Sequence, residues 1–126
     1  MSYSARLVDH FLHPRNTGLM RDPDGVGEGE YEGCGDVARA FVRVRDGRAG
    51  DVRFQTYGCG PTIAVASAAS ELVTGWPLHA LLRVRPEDVE EAVDGLPDHR
   101  KHAADVVADA LRAAAEDALT RRPCHV

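Results

Sequence analysis

The chain has little of several features that mark particular classes of protein. Its 126 residues include three cysteines and a single lysine, Lys101. An odd number of cysteines does not suit a disulfide framework, and 15 basic against 20 acidic residues leave no positive footprint for a nucleic acid. No stretch reaches the roughly 18 apolar residues of a membrane span, and residues 1–10 lack the apolar run of a signal peptide. We therefore expect a cytoplasmic protein with free thiols and no nucleic-acid or membrane partner.

What the chain does have predicts one domain over residues 1–126, with enough apolar content, 44%, for one core. Apolar spacing over residues 3–12 predicts a helix that ends at His13-Pro14. Residues 14–29, rich in glycine, proline and aspartate, predict a loop with at most a short strand at its end.

β-branched residues predict a strand over Val37–Arg45, and clean alternation predicts one over Val52–Tyr57. A hairpin turn at Asp46-Gly47 joins them, and we expect a third strand before Cys34. Everything after Cys59 predicts helices. The first begins at Pro61 and stops at Gly75, and two short ones follow over residues 77–84 and 86–95. The last is capped by Asp98 and carries one apolar stripe: Val106, Val107, Ala110, Leu111, Ala114 and Leu119. Strands first and helices after predict an α+β fold: a three-stranded antiparallel sheet, helices on one face, and a helical C-terminal half.

Two cysteines lie between glycines, in Gly33-Cys34-Gly35-Asp36 and Gly58-Cys59-Gly60-Pro61. Flanking glycines let the backbone approach a ligand closely, and a helix N-terminus after Cys59 favours the thiolate. Cys34, Asp36, Cys59 and His102 together offer S, O, S and N donors, enough for a tetrahedral zinc site or a distorted iron site. Spacing alone leaves other interpretations open: the thiols as small buried residues, Asp36 as a turn residue, and His102 as a helix cap.

Four stretches, in order along almost the whole chain, resemble one family, the U-type iron–sulfur cluster assembly scaffolds, meaning IscU and the N-terminal domain of NifU. They are the opening from Tyr3 to Gly18 with His10-Phe11-Leu12-His13-Pro14-Arg15-Asn16, then Cys34-Gly35-Asp36, then Phe54–Gly60, and last Leu96-Pro97 through His102 with Asp109-Ala110-Leu111. The resemblance implies an α+β fold with a three-stranded antiparallel sheet.

The resemblance also implies a site at one end of the molecule that holds a transient 2Fe–2S cluster or Zn²⁺. Cys34, Cys59 and His102 are then the cluster-binding residues, and Asp36 completes the metal ligands. Implied partners are a cysteine desulfurase and apo acceptor proteins. Such a protein binds and transfers its cargo and is not a turnover enzyme, and a carboxylate ligand, weaker than thiolate for iron, favours release.

The chain departs from the family pattern at two places. Ala103 stands where the family has a third cysteine, directly after the histidine. Asp98 and Arg100 replace a proline and a lysine in the segment that docks Hsp70-type chaperones in the family. The chain therefore lacks the intact docking motif, and the resemblance does not establish a chaperone as a partner. We expect Cys124 of the same chain not to replace the missing thiol, because about 27 Å of helix separates His102 from residue 120 and the tail reaches back at most about 14 Å. An early end of the helix, or a Cys124 from a neighbouring molecule, stays open.

Two other functions stay open. One is a divergent zinc-binding relative with a structural or regulatory role, since Cys34, Asp36, Cys59 and His102 survive the change at Ala103. The other is a thiol enzyme, such as a sulfurtransferase, with Cys59 as nucleophile and His102 as base.

Overall fold

The computed structural model describes residues 3–31, 33, 35–58 and 60–121, so Cys34, Cys59 and Cys124 lie outside the described residues. The elements follow one another as helix α1 Ala5–Leu12, strands β1 Gly25–Tyr31, β2 Asp36–Arg45 and β3 Arg48–Tyr57, helices α2 Gly60–Val73, α3 Leu78–Leu81 and α4 Pro86–Glu91, a 3₁₀ turn Asp98–Arg100, and helix α5 His102–Arg121. This is the α+β order that the sequence predicts. No helix within this part of the chain is long and apolar enough to cross a bilayer.

The opening helix and the loop after it are fixed by backbone contacts. The Ser4 hydroxyl caps α1 by accepting an N–H of its first turn at 3.0 Å. The following segment then runs beside β3, where the N–H of Phe54 donates to Asn16 at 2.9 Å and the N–H of Gly18 donates back to Phe54 at 2.9 Å. The loop therefore covers the outer edge of β3, which protects that edge from pairing with another chain.

The three strands form an antiparallel sheet in the order β1-β2-β3. The predicted hairpin turn is confirmed: Asp46 and Gly47 have φ values of 55° and 74°, the left-handed pair that suits a tight turn between twisted strands. The predicted loop over residues 14–29 gives way at Gly25, where β1 begins as a strand of seven residues.

Helix α5 packs directly against the backbone of β1. A Cβ added to Gly25, Gly27 or Gly29 would lie 2.2, 2.1 and 2.1 Å from backbone atoms of Ala114, Ala114 and Val106. Only glycine fits this contact. The glycines that predict a loop in the sequence therefore form a strand against which α5 packs. The same face of the sheet carries the buried residues Ala38, Ala40, Val42, Val52 and Phe54.

Two details of the last helix differ from the sequence prediction. Asp98 does not cap α5; it opens the 3₁₀ turn, in which the N–H of Arg100 donates to Pro97 at 2.8 Å, and α5 begins only at His102. Leu119 is 43% exposed, whereas Ala118 is fully buried. The close approach to β1 selects alanines for the sheet-facing stripe, and this turns Leu119 outward.

Candidate metal centre

The termini of five elements meet at one end of the sheet, where β1 and β3 stop and β2 begins. Tyr31 at the end of β1 pairs with Asp36 at the start of β2, and the next pair joins β2 to Tyr57 at the end of β3. Helix α2 begins just after this point, and His102 begins α5. The predicted ligands Cys34 and Cys59 fall outside the described residues. Their neighbours in the chain, such as Gly35 and Gly58, lie at this end of the sheet.

The structure brings Asp36 and His102, 66 residues apart in sequence, into direct contact. Nε2 of His102 lies 3.0 Å from Oδ2 of Asp36. The Asp36 side chain is 2% exposed and the His102 side chain 10% exposed. The predicted meeting of these two side chains is therefore observed, and Asp36 is a buried member of a polar cluster as well as the first residue of a strand.

Thr62, in the first turn of α2, is a third member of the cluster that the sequence analysis missed. Its Oγ1 donates to Oδ2 of Asp36 at 3.0 Å, and the residue is fully buried. No signal in the sequence separates Thr62 from Ser67 and Ser70, the other buried hydroxyl residues of α2.

Tyr31 is the fourth member, and the sequence analysis missed it too. Its ring lies parallel to the imidazole of His102, with centroids 4.4 Å apart and 22° between the planes. The only signal available was its position as the last aromatic residue before Cys34. The contact depends on the register that sets Tyr31 opposite Asp36.

The glycines around the two cysteines make room for side chains of the protein itself. A Cβ on Gly58, whose φ is 142°, would lie 2.2 Å from Oδ1 of Asp36. A Cβ on Gly33 would lie 2.8 Å from the Tyr31 ring, and one on Gly60 would lie 2.8 Å from the Phe11 ring. The sequence predicts that these glycines let a ligand approach, and three of them have a steric reason inside the protein as well.

Lys101 holds the start of α5 in place. Its ammonium lies 2.6 Å from Oε2 of Glu90, which also accepts the N–H of Leu96 at 3.1 Å. The hydrogen bond from Lys101 lowers the pKa of Glu90, and the same bond raises the pKa of Lys101. The contact with Glu90 thus anchors Lys101, the residue directly before His102.

A second polar cluster joins α1 to α2 and explains the opening motif. Nδ1 of the buried His10 lies 2.8 Å from the Ser67 hydroxyl and 2.9 Å from the guanidinium of Arg15. Arg15 also donates to Asp9 at 2.8 Å, a hydrogen bond that lowers the pKa of Asp9. Burial first, and Arg15 second, lower the pKa of His10, while Glu71 at 3.7 Å opposes them.

An apolar cleft of about 200 Å³ lies between α1 and the start of α2. Phe11, 48% exposed, forms one wall and Gly60 forms part of another. Within the described residues, no three His, Cys, Asp or Glu side chains converge as a complete metal site. Asp36 and His102, with a carboxylate oxygen and a ring nitrogen 3.0 Å apart, are two described residues that could hold a metal ion.

The sequence matches known proteins along nearly its full length. The family model described as NifU-like N terminal domain matches residues 2–125. The chain is 41% identical over 115 residues, 91% of this chain and 75% of the relative, to the iron-sulfur cluster assembly scaffold protein IscU 1 of Archaeoglobus fulgidus. It is 36% identical over 126 residues, 97% of this chain and 98% of the relative, to the Escherichia coli protein named iron-sulfur cluster assembly scaffold protein IscU.

The fold matches a solved structure as well. The N-terminal part of a nitrogen-fixing NifU-like protein from Brucella abortus superposes with a TM-score of 0.77, covering 92% of this chain and 93% of that one. Only 16% of the residues are identical in that comparison, so it supports the architecture alone.

Proposed function

The chain belongs to the NifU-like N-terminal domain family, and we propose that it is an iron–sulfur cluster assembly scaffold. In this proposal one domain over residues 1–126 binds iron or a transient 2Fe–2S cluster, or Zn²⁺, and passes its cargo to acceptor proteins. It is a binding and transfer protein and does not turn over a substrate.

The contact between Asp36 and His102 is the observation that carries the proposal. Two ligands bound tetrahedrally at about 2.0–2.1 Å from one metal ion lie roughly 3.3 Å apart. Nε2 and Oδ2 are already 3.0 Å apart, so an ion needs little rearrangement of these two side chains. The donor atoms therefore fit a metal.

We propose Cys34 and Cys59 as the remaining ligands, with Asp36, His102 and the two thiolates forming an S₂NO set. Support comes from chain order, because each cysteine is within two residues of Asp36 or Gly58, and a Cβ on Gly58 would touch Asp36. Thiolates suit iron–sulfur clusters and zinc, and the carboxylate is the ligand that holds iron least firmly. Asp36 would then ease release.

A zinc-binding relative with a structural or regulatory role is the second candidate, and Ala103 is the observation that favours it. Ala103 is fully buried in the first turn of α5, directly after His102, where the family pattern has its third cysteine. Four donors remain, which completes a structural zinc site but leaves a scaffold without one thiol.

The proposed partners are a cysteine desulfurase that supplies sulfur and apo proteins that accept the cluster. An Hsp70-type chaperone is not part of the proposal, because Asp98 and Arg100 break the docking pattern and lie in the 3₁₀ turn. A cytoplasmic location stays a prediction, as does the absence of nucleic-acid and membrane partners.

Anaerobic reconstitution with iron and sulfide, followed by metal and sulfide counting, tests the proposal. We expect visible charge-transfer absorbance from the wild type and its loss in Cys34→Ser and Cys59→Ser. Cys124→Ser is the matched control, with the third thiol removed and the absorbance retained. A wild type that stays colourless while Ala103→Cys takes up a cluster would contradict the scaffold proposal and support the zinc-binding relative.

A further inference from the structure

Two side chains outside the proposed ligand set each contact one of its described members. We propose that Tyr31 and Thr62 are positioning residues of the metal site: Tyr31 fixes the imidazole of His102, and Thr62 fixes the carboxylate of Asp36. Together they set how tightly the site holds a metal ion. This inference rests on the proposed function, because it assumes that Asp36 and His102 are ligands.

Tyr31 fixes His102 through a contact on the face of the ring. The stacked rings, 4.4 Å apart, oppose a tilt of the imidazole, while Asp36 at 3.0 Å opposes its rotation. Tyr31 is itself held, because the N–H of Gly35 donates to its carbonyl at 2.8 Å and its ring packs where a Cβ of Gly33 would be. Tyr31 and Asp36 are opposite each other in the ladder, so the last strand pair holds one imidazole from two sides.

Thr62 fixes Asp36 through a hydrogen bond to the oxygen that also faces His102. Its hydroxyl and Nε2 of His102 both lie 3.0 Å from Oδ2, and the other oxygen lies over Gly58. Both carboxylate oxygens are thus constrained, so Oδ2 can point in few other directions. A fully buried hydroxyl costs free energy unless it is hydrogen-bonded, so its bond to a charged group is a strong constraint.

The affinity of a metal site depends on the residues that orient its ligands, as well as on the ligands themselves. Partners that orient a ligating histidine or carboxylate typically change metal affinity by about 10–100-fold when they are removed. Tyr31 and Thr62 come from β1 and α2, so each of the two ligands is oriented by an element other than its own. We expect the loss of either side chain to weaken metal binding without removing a donor atom.

The test is an anaerobic Co²⁺ titration with a competing chelator, which reports both the affinity and the ligand-field bands. We expect Thr62→Val and Tyr31→Leu each to weaken Co²⁺ binding by about tenfold or more and to change the band intensities. Thr62→Ser and Tyr31→Phe, which restore the hydroxyl and the ring, should return both readouts towards the wild type.

Two matched controls separate positioning from general stability. Ser70→Ala removes another buried hydroxyl of α2, and Tyr57→Leu removes an exposed tyrosine at the end of β3, which is not adjacent to β1 in the sheet. Both should bind Co²⁺ like the wild type, even where thermal unfolding shows lower stability.

Each half of the inference can be overturned by its own variant. Thr62→Val with wild-type Co²⁺ affinity and spectrum overturns the role of Thr62, and the same result for Tyr31→Leu overturns the role of Tyr31. If Thr62→Val does not fold, Thr62→Ala replaces it under the same criteria. Failure of the proposed function looks different, because the wild type would then bind neither Co²⁺ nor a cluster, and every variant would match it.

Discussion

Two histidines with largely covered side chains, His10 and His102, have similar surroundings but different charged partners. Each belongs to a cluster that includes a hydroxyl residue of α2. His10 contacts Ser67 directly, and His102 contacts Asp36, which accepts a hydrogen bond from Thr62. His102 faces a carboxylate at 3.0 Å, whereas His10 faces the guanidinium of Arg15 at 2.9 Å. The sign of the nearest charged partner therefore distinguishes the two clusters.

That difference decides which cluster can receive a cation. Around His102 a ring nitrogen lies 3.0 Å from a carboxylate oxygen, and both atoms are of types that bind metal cations. Around His10 a fixed positive charge already occupies the equivalent position, since arginine does not lose its proton in proteins. The cluster of Asp36 and His102 therefore agrees with the proposed metal site, and the cluster of His10 and Arg15 joins α1 to α2.

The largest loss of stability should come from adding one methyl group beside Asp36, in the cluster that contains His102 and Thr62. In Gly58→Ala the new Cβ would lie 2.2 Å from Asp36 and the residue would keep a φ of 142°. We expect a loss of about 3 kcal/mol in the free energy of unfolding, because the buried carboxylate must leave its partners. Urea titration measures it.

Gly75→Ala is the matched control for that variant. Gly75 has a φ of 94° and nothing within 4 Å of an added Cβ, so only the backbone penalty applies. We expect about 1 kcal/mol. Equal losses for the two variants would mean that the contact with Asp36 carries no cost.

A pair of charge-neutralising variants sharpens the comparison. Asp36→Asn keeps the shape of the side chain but replaces a charged oxygen ligand with a weaker one. We expect Zn²⁺ affinity to fall by at least about tenfold. Glu71→Gln makes the same change beside His10 and should leave Zn²⁺ affinity unchanged. Equal affinities for both variants would remove the distinction between the clusters.

The smallest effect concerns pH and the second cluster. Burial and Arg15 lower the pKa of His10 from its usual 6.5, so the unfolded chain binds a proton that the folded chain excludes. Stability should therefore fall as pH drops through about 6.5 and stop falling below the pKa of the folded state, with a slope of at most about 1.4 kcal/mol per pH unit.

Urea midpoints of wild type and His10→Gln between pH 5 and pH 7.5 measure this contribution, because other groups titrate equally in both proteins. The variant should lose less stability on acidification. Parallel pH profiles would show that His10 is not the group responsible.

The elements of this fold could be predicted where local sequence decides them. β-branched residues predicted β2, alternation predicted β3 from Val52 to Tyr57, and Asp46-Gly47 predicted the hairpin between them. Asp98 could not be placed because a 3₁₀ turn separates it from α5. Leu119 could not be placed because its direction depends on how α5 lies on the glycines of β1. That close approach is a property of two elements about 80 residues apart, and no local pattern contains it.

The site was predictable in part for a related reason. Asp36 and His102 were found through motifs that resemble a family, and the structure shows that they meet. Tyr31 and Thr62 were missed because their importance comes from contacts across four elements. A threonine in an apolar helix and an aromatic residue at a strand end have many ordinary explanations in sequence alone.

The glycines of β1 have a consequence for the precision of the whole site. Where helix and strand touch through backbone atoms, no side chain intervenes that could change rotamer and shift one relative to the other. Helix α5 carries His102 at its start, and β1 carries Tyr31 at its end. This direct backbone contact therefore limits movement of α5 against β1, so that the imidazole of His102 keeps one position relative to the ring of Tyr31.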